Sequence, residues 1–281
     1  MKKNCIMDWK EYEQQVFEEC ERIYTGAIVK RNVRVRGIYS QRMRQIDVLV
    51  ENAIIDGTKK SILYDAKYYN KKVDIKEVES FISMLKDTGQ DKGVIVTELG
   101  YSIAAIRRAH LGEENIEVDV LSLSDLKQFQ SIGAIPYCGN HAVVIQSPFG
   151  WIIDGKQNGF SLATIYPRGN TLESAIEHKE WMYLHIHEKD EKISNIVELM
   201  EYQNQRVLMM YPMAKFKVVN NNEIVIRIAD IETYPTPEMT GFRDMGKFIL
   251  YIVLFCPENV KQRDINKLCY SLASAIPVSI K

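Results

Sequence analysis

The chain has 281 residues, of which 46% are hydrophobic and 26% charged, with a formal net charge of −1. That length suits two ordinary domains with packed cores, and near-neutrality excludes a globally basic nucleic-acid coat, so any anion-binding surface must be a local patch. The longest apolar run, Phe248 to Cys256, has nine residues where a membrane helix needs about 20, and the five cysteines are scattered without Cys-x-x-Cys spacing. No membrane span, export signal, disulfide framework or thiolate zinc site is read, and a reducing cytoplasm is the expected compartment.

In chain order, Trp9, Tyr12, Val16, Phe17, Cys20, Ile23 and Tyr24 recur at helical spacing and predict a helix over 8–24 capped by Asp8. Three strand-like segments follow, GAIVKRNVRV, RQIDVLVE and SILYDAKYY, the last two joined through Asp56 and Gly57 as a β-meander. Asp74 with Glu77 forms a capping box opening a helix with apolar Ile75, Val78, Phe81, Ile82 and Leu85. GVIVT reads as a central strand, YSIAAIRRAH as a helix capped by Ser102, IEVDVLSL as a strand, and a short helix starts at Ser124. The order α-β-β-β-α-β-α-β-α defines one α/β domain over 1–130. Residues 131–137 read as a linker. Residues 138–281 read as an α+β domain: strands HAVVIQ, GWIIDG and GFSLATIYP, a long polar helical stretch over 171–205, then RVLMMYPMAKFKVV, EIVIRIADIETY and KFILYIVLF as strands, and a terminal helix from Val260.

Charges in the first domain stand where apolar residues are expected. Glu13 projects from the middle of the apolar stripe of the first helix, where a lone carboxylate is unfavourable unless it meets a cation or a metal. An edge position reaching an arginine is the plainer alternative. Asp65 and Lys67 leave the same face of their strand. If Ile55, Asp56 and Gly57 make a three-residue loop with Gly57 left-handed, Asp47 lies directly across from Asp65; a strict two-residue Asp-Gly turn points Asp47 the other way. Two such carboxylates raise each other's pKa unless a divalent cation fills the gap, and hard oxygen ligands suit Mg2+ or Mn2+. Upstream, Lys30, Arg31, Arg34, Arg36, Arg42 and Arg44 form a basic run that is either a solvated strand and loop or a phosphate-binding face. Tyr68, Tyr69, Lys71 and Lys72 adjoin the acidic pair, and Thr97 with Ser102 offers either a phosphate site at a helix start or ordinary capping.

RQIDVLVE, YDAKYYNKKVDIKEVESF, DKGVIVTELGYSIAAIRRA and IEVDVLSLSDL, in that order, resemble the PD-(D/E)xK nuclease superfamily and within it the Mrr-type restriction endonuclease domain, over about residues 8–130. The resemblance implies a restriction-endonuclease-like core with a central mixed sheet flanked by helices. It also implies that Asp47, Asp65 and the Ala66 carbonyl ligate Mg2+ (Mn2+ as substitute), that Glu13 reaches the ion directly or through water, and that Lys67 is the catalytic lysine. Ile46 stands where that family has its proline, and Asp65 where it usually has Glu. The expected activity is metal-dependent hydrolysis of DNA phosphodiesters, in restriction or antiphage defence with possible partner proteins, by a homodimer or higher oligomer. Lys30, Arg31, Arg34, Arg36, Arg42, Arg44, Lys71 and Lys72 would contact the nucleic acid. A junction-resolvase-like nuclease and a catalytically inactive nucleic-acid-binding protein are the competing readings. The second half carries no resemblance. His178, His185 and His187 lack a recognisable ligand spacing, and its aromatics Phe149, Trp151 and Trp181 read as packing before base stacking.

Overall fold

A computed structural model describes residues 8–110, 116–128, 133–157, 159, 161–221, 223–234 and 236–279. The chain divides into two compact units, 1–129 and 130–281. The first contains α1 (Trp9–Ile23), β1 (Ile28–Arg36), β2 (Met43–Ile55), β3 (Thr58–Lys67), α2 (Ile75–Thr88), β4 (Lys92–Thr97), α3 (Ile103–His110), β5 (Glu117–Leu121) and α4 (Leu123–Lys127). The five strands form one sheet in the order β1-β2-β3-β4-β5, antiparallel through β3 and parallel from β3 to β5. This is a mixed α/β domain with a restriction-endonuclease-like core, as the sequence implied.

The helices begin where the sequence supplies caps. Asp8 and Glu11 close a capping box on α1, Asp74 and Glu77 one on α2, and Ser122 and Asp125 one on α4. Tyr12, Val16 and Cys20 form the buried row of α1, four residues apart. On the other face Val78, Phe81, Ile82 and Leu85 of α2 pack with Leu63 and Ile95 of the sheet. Gly93 makes that approach possible, since a Cβ there would lie 2.5 Å from the Phe81 ring.

The β2–β3 hairpin departs from expectation in an instructive way. Its turn has two residues: Ile55 pairs with Thr58, and Asp56 (φ 47°) and Gly57 (φ 79°) are both left-handed, as a type I′ turn requires. By itself this register would turn Asp47 away from Asp65. Between Val50 and Ala53 the pairing slips by one residue, with Glu51 and Asn52 opposing Ser61 and Asn52 left-handed at φ 61°. Beyond this bulge Val50 pairs with Ile62 and Val48 with Tyr64, so the next step sets Asp47 opposite Asp65.

The second unit contains β6 (Gly133–Ala134), β7 (Tyr137–Cys138), β8 (His141–Gln146), β9 (Trp151–Asp154), β10 (Ala163–Pro167), α5 (Leu172–His178), β11 (Trp181–Glu188), α6 (Ile196–Met210), β12 (Lys215–Asn221), β13 (Ile224–Asp230), β14 (Glu238–Asp244), β15 (Phe248–Phe255), α7 (Lys261–Ser274) and β16 (Ile276–Ser279). A seven-stranded antiparallel sheet runs β12-β13-β14-β15-β11-β10-β9, and a smaller sheet orders β16-β8-β6 with β7 paired to β8. The stretch read as linker therefore already contributes strands. The helix expected over 171–205 is two helices flanking β11, where Met182, Leu184 and Ile186 are buried at period two while His185 and His187 face the other way. The strand expected from Arg206 begins only at Lys215, because α6 continues to Met210 before Tyr211 and Pro212 end it. One face of the large sheet packs on α7 through Leu268 and Leu272; the other carries α6 through Leu199 and Met200.

Candidate active site

The acidic groups and lysine singled out in the first unit meet where β2 begins and β3 ends, beside α1. Asp47 Oδ2 accepts the Ala66 N–H at 2.9 Å, so this side chain takes up a backbone donor of the neighbouring strand. Lys67 Nζ lies 2.9 Å from Asp65 Oδ2, with side-chain exposures of 23% and 14%, and sits over the Tyr69 ring at 5.7 Å. The carboxyls of Asp65 and Asp47, opposed across β2 and β3, act on each other electrostatically. Burial, chiefly, pushes Asp65 up to about 6; Lys67 opposes the rise and Asp47 adds to it. Burial also raises Asp47, against the Ala66 N–H and Lys67 and reinforced by Glu13. For Lys67 burial acts downward, but the carboxylates of Asp65 and Asp47 and the nearby Tyr69 outweigh it and hold the ammonium above its usual value.

Glu13 flanks the buried row of α1, and its carboxylate is 17% exposed. Burial raises its pKa, Arg31 lowers it at a separation of 4.0 Å, and Asp65 raises it again, which ties Glu13 electrostatically to the pair. Of the two alternatives left open for Glu13, the contact with an arginine is present, and Asp65 is close enough to act on its carboxylate. Arg31 also donates to Gln14 Oε1 and to the Lys10 carbonyl, fixing β1 against α1. Tyr12, buried on α1, packs on Tyr68 with ring centroids 5.3 Å apart and closes the site from the helix side.

The basic run splits into two groups. Lys30 pairs with Glu51 at 2.6 Å, Arg44 with Asp87 at 2.6 Å and Lys71 with Glu77 at 3.6 Å, so together with Arg31 these have intramolecular partners. Arg34, Arg36, Arg42 and Lys72 are exposed and carry no ion pair among the described residues. Asp87 is a residue that sequence reasoning missed. Its carboxylate accepts the Tyr39 and Ser40 N–H groups, the Ser40 hydroxyl and Arg44, which pins the loop between β1 and β2 to the end of α2. No local pattern could reveal it, because its partners lie more than 40 residues upstream.

The phosphate site considered at Thr97 and Ser102 does not form. Thr97 is fully buried beside Lys67 in the parallel ladder, and the Ser102 hydroxyl accepts the Ala105 N–H and donates to Asp74, which is ordinary capping.

Among the described residues no three His, Cys, Asp or Glu side chains are drawn together closely enough to hold a metal ion. The donor set nevertheless fits a hard divalent cation. Two half-buried, facing carboxyls whose pKa values burial raises, with the Ala66 main-chain carbonyl next to Asp65, offer the hard oxygen donors such an ion prefers. No helix among the described residues is long and apolar enough to cross a membrane.

Residues 6–130 match a family model described as restriction endonuclease, of the Mrr catalytic type. Among solved structures, the crystal structure of a protein of unknown function, AF1548, is 22% identical with a TM-score of 0.32; the match covers 39% of this chain and 57% of that one. The solution structure of cyanobacterial PsbP (CyanoP) from Synechocystis sp. PCC 6803 is 11% identical with a TM-score of 0.34, covering 52% of this chain and 92% of that one. The comparison with curated proteins gave no match. The family comprises nucleases of the restriction endonuclease type, which generally use divalent metal ions and act on DNA. Residues 6–130 are thus a restriction endonuclease domain of the PD-(D/E)xK superfamily.

Proposed function

We propose that the chain is a Mg2+-dependent DNA endonuclease, with Mn2+ able to replace Mg2+. Asp47, Asp65 and the Ala66 carbonyl hold the ion, Glu13 reaches it directly or through water, and Lys67 is the catalytic lysine. The observation that carries this reading is the geometry that sets Asp47 opposite Asp65 across β2 and β3, Asp47 bonded to the Ala66 N–H and Lys67 Nζ 2.9 Å from Asp65 Oδ2, with burial raising both carboxyls. A purely structural site would gain nothing from burying two repelling carboxylates.

When bound, the ion supplies Lewis-acid polarisation of the phosphate and of a water. The chain supplies the rest. Asp47 and Asp65, whose pKa values burial raises, favour their ionised form with the ion bound. Lys67, restrained between Asp65 and the Tyr69 ring, orients the attacking water in line with the scissile bond and offsets charge gathering on the phosphoryl oxygens. Arg34, Arg36, Arg42 and Lys72 neutralise flanking phosphates, which gives affinity without sequence information. Cutting both strands of a duplex calls for two such sites, hence a homodimer or higher homo-oligomer. A cytoplasmic role in restriction or antiphage defence, with partner proteins, follows from the family alone.

A binding-only protein on the same fold is the second reading, favoured by the direct Lys67–Asp65 pair and by the absence, among the described residues, of three acids grouped around one point. Incubation of purified protein with plasmid, linear, RNA and branched substrates, with Mg2+, Mn2+ or EDTA, decides between them. The expected result is metal-dependent plasmid cleavage that falls by about 10²-fold or more in Asp65→Ala and Lys67→Ala. Binding without cleavage under either metal would favour the second reading, and a strict preference for branched DNA would favour a junction-resolvase-like nuclease.

A further inference from the structure

The second unit contains a cleft of about 840 Å³ between the outer face of the large sheet and α6. Its floor is aromatic and imidazole-rich: Tyr183, His185 and His187 alternate along β11, and Tyr251 of β15 stacks on His185 with ring centroids 5.4 Å apart and an angle of 11°. Behind them Arg227, 2% exposed, donates to Glu238, Thr240 and Asn204, while its Nε is buried without a hydrogen-bond partner among the described residues. His187 Nε2 is likewise buried and unpartnered, and burial lowers the pKa of that imidazole. His185 Nδ1 lies 2.8 Å from the Ile186 carbonyl, so it carries the proton and leaves Nε2 as an acceptor.

These groups define the ligand's inner part. The Arg227 charge is already matched by Glu238 at 2.5 Å, so a second full charge on the floor would be uncompensated. A neutral ring with polar edges, stacking on Tyr and His and satisfying the orphan nitrogens, suits the floor. The rim has the opposite demand. Asp190 accepts the Lys192 and Ile193 N–H groups, and Glu198 accepts the Ser194 N–H and hydroxyl, so these carboxylates are committed to the backbone turn before α6. Lys192 and Arg206 line the same cleft, are exposed and have no ion pair among the described residues. Glu201 stands beside them at the solvent edge. A volume near the upper end of the range for small-molecule clefts, roughly 300–1,000 Å³, accommodates more than a bare ring.

We propose that this cleft binds a nucleotide, with the base on the Tyr183–His185–Tyr251 floor against His187 and the phosphate held by Lys192 and Arg206. The assignment stands apart from the nuclease reading, which concerns the other unit.

The test is calorimetry on the full chain in EDTA, so that no divalent ion can hold a phosphate at the carboxylate pair, with AMP, GMP, CMP and UMP and the four nucleosides as probes. At least one nucleotide is expected to bind more tightly than its nucleoside. Lys192→Ala/Arg206→Ala, which alters only exposed side chains, should weaken the nucleotide by about tenfold or more and leave the nucleoside unchanged. His187→Leu should weaken both. Any one of three results overturns the proposal: no binding of any nucleotide, affinity undiminished in both variants, or loss of binding in Asp65→Ala.

Discussion

The Asp47 carboxylate meets the Ala66 N–H at 2.9 Å across a hairpin whose turn, taken alone, would have pointed Asp47 elsewhere. The bulge at Glu51 and Asn52 supplies the missing residue. Asn52, left-handed at φ 61°, is therefore expected to tolerate Gly but not a β-branched residue. Asn52→Val should cost about 1–2 kcal/mol in urea denaturation. Deleting Asn52 should keep the far-ultraviolet circular dichroism but abolish cleavage, because the register past the bulge shifts by one residue and turns Asp47 over.

Proton linkage gives a second test. Asp65 titrates near 6 in the folded protein against an ordinary value of 3.8, so the folded state binds more protons between those limits. Its contribution to stability is full below about pH 4 and is lost as the pH rises through 6, on the order of 3 kcal/mol without metal. Chemical denaturation in EDTA should show Asp65→Asn gaining stability relative to wild type from pH 4 to 7. Divalent ions should reverse the wild-type trend, since they bind the deprotonated pair.

Arg31 lowers the Glu13 pKa that burial and Asp65 raise. Arg31→Ala should move the acidic limb of the pH–rate profile upward, while Glu13→Gln should remove that displacement. An unchanged limb in Arg31→Ala would mean that Glu13 takes no part in the titrating cluster.

The exposed arginines of the first unit should govern electrostatic affinity. Each of Arg34→Ala, Arg36→Ala and Arg42→Ala is expected to weaken binding to any duplex sequence alike and to reduce the slope of log affinity against log salt by roughly 1. Arg44→Ala should instead loosen the loop between β1 and β2 by uncoupling it from Asp87, and should be read by limited proteolysis there.

Much of the first unit was legible because its signals are local: the cap at Asp8, the capping box at Asp74, the i, i+4 row from Tyr12 to Cys20, and alternation in β2 and β3. The facing of Asp47 was legible for an incomplete reason. A three-residue loop and a two-residue turn plus a bulge yield the same register past Val50, and nothing in Glu51–Asn52 announces a bulge before the pairing is known. Asp87 was invisible because its partners are distant in sequence. In the second unit, β11 was hidden because His185, His187 and Glu188 make a half-buried strand read as a polar helix. β14 was hidden because Glu238, Gly241 and Asp244 carry weak strand preference.

The most direct test of the whole account is the anomalous diffraction of crystals soaked in Mn2+. A single strong peak within bonding distance of Asp47 and Asp65 and of the Ala66 carbonyl, lost in Asp65→Ala, is the expected result. A fully soaked crystal with no peak between those carboxylates, and with Asp65 still bonded to Lys67, would contradict it.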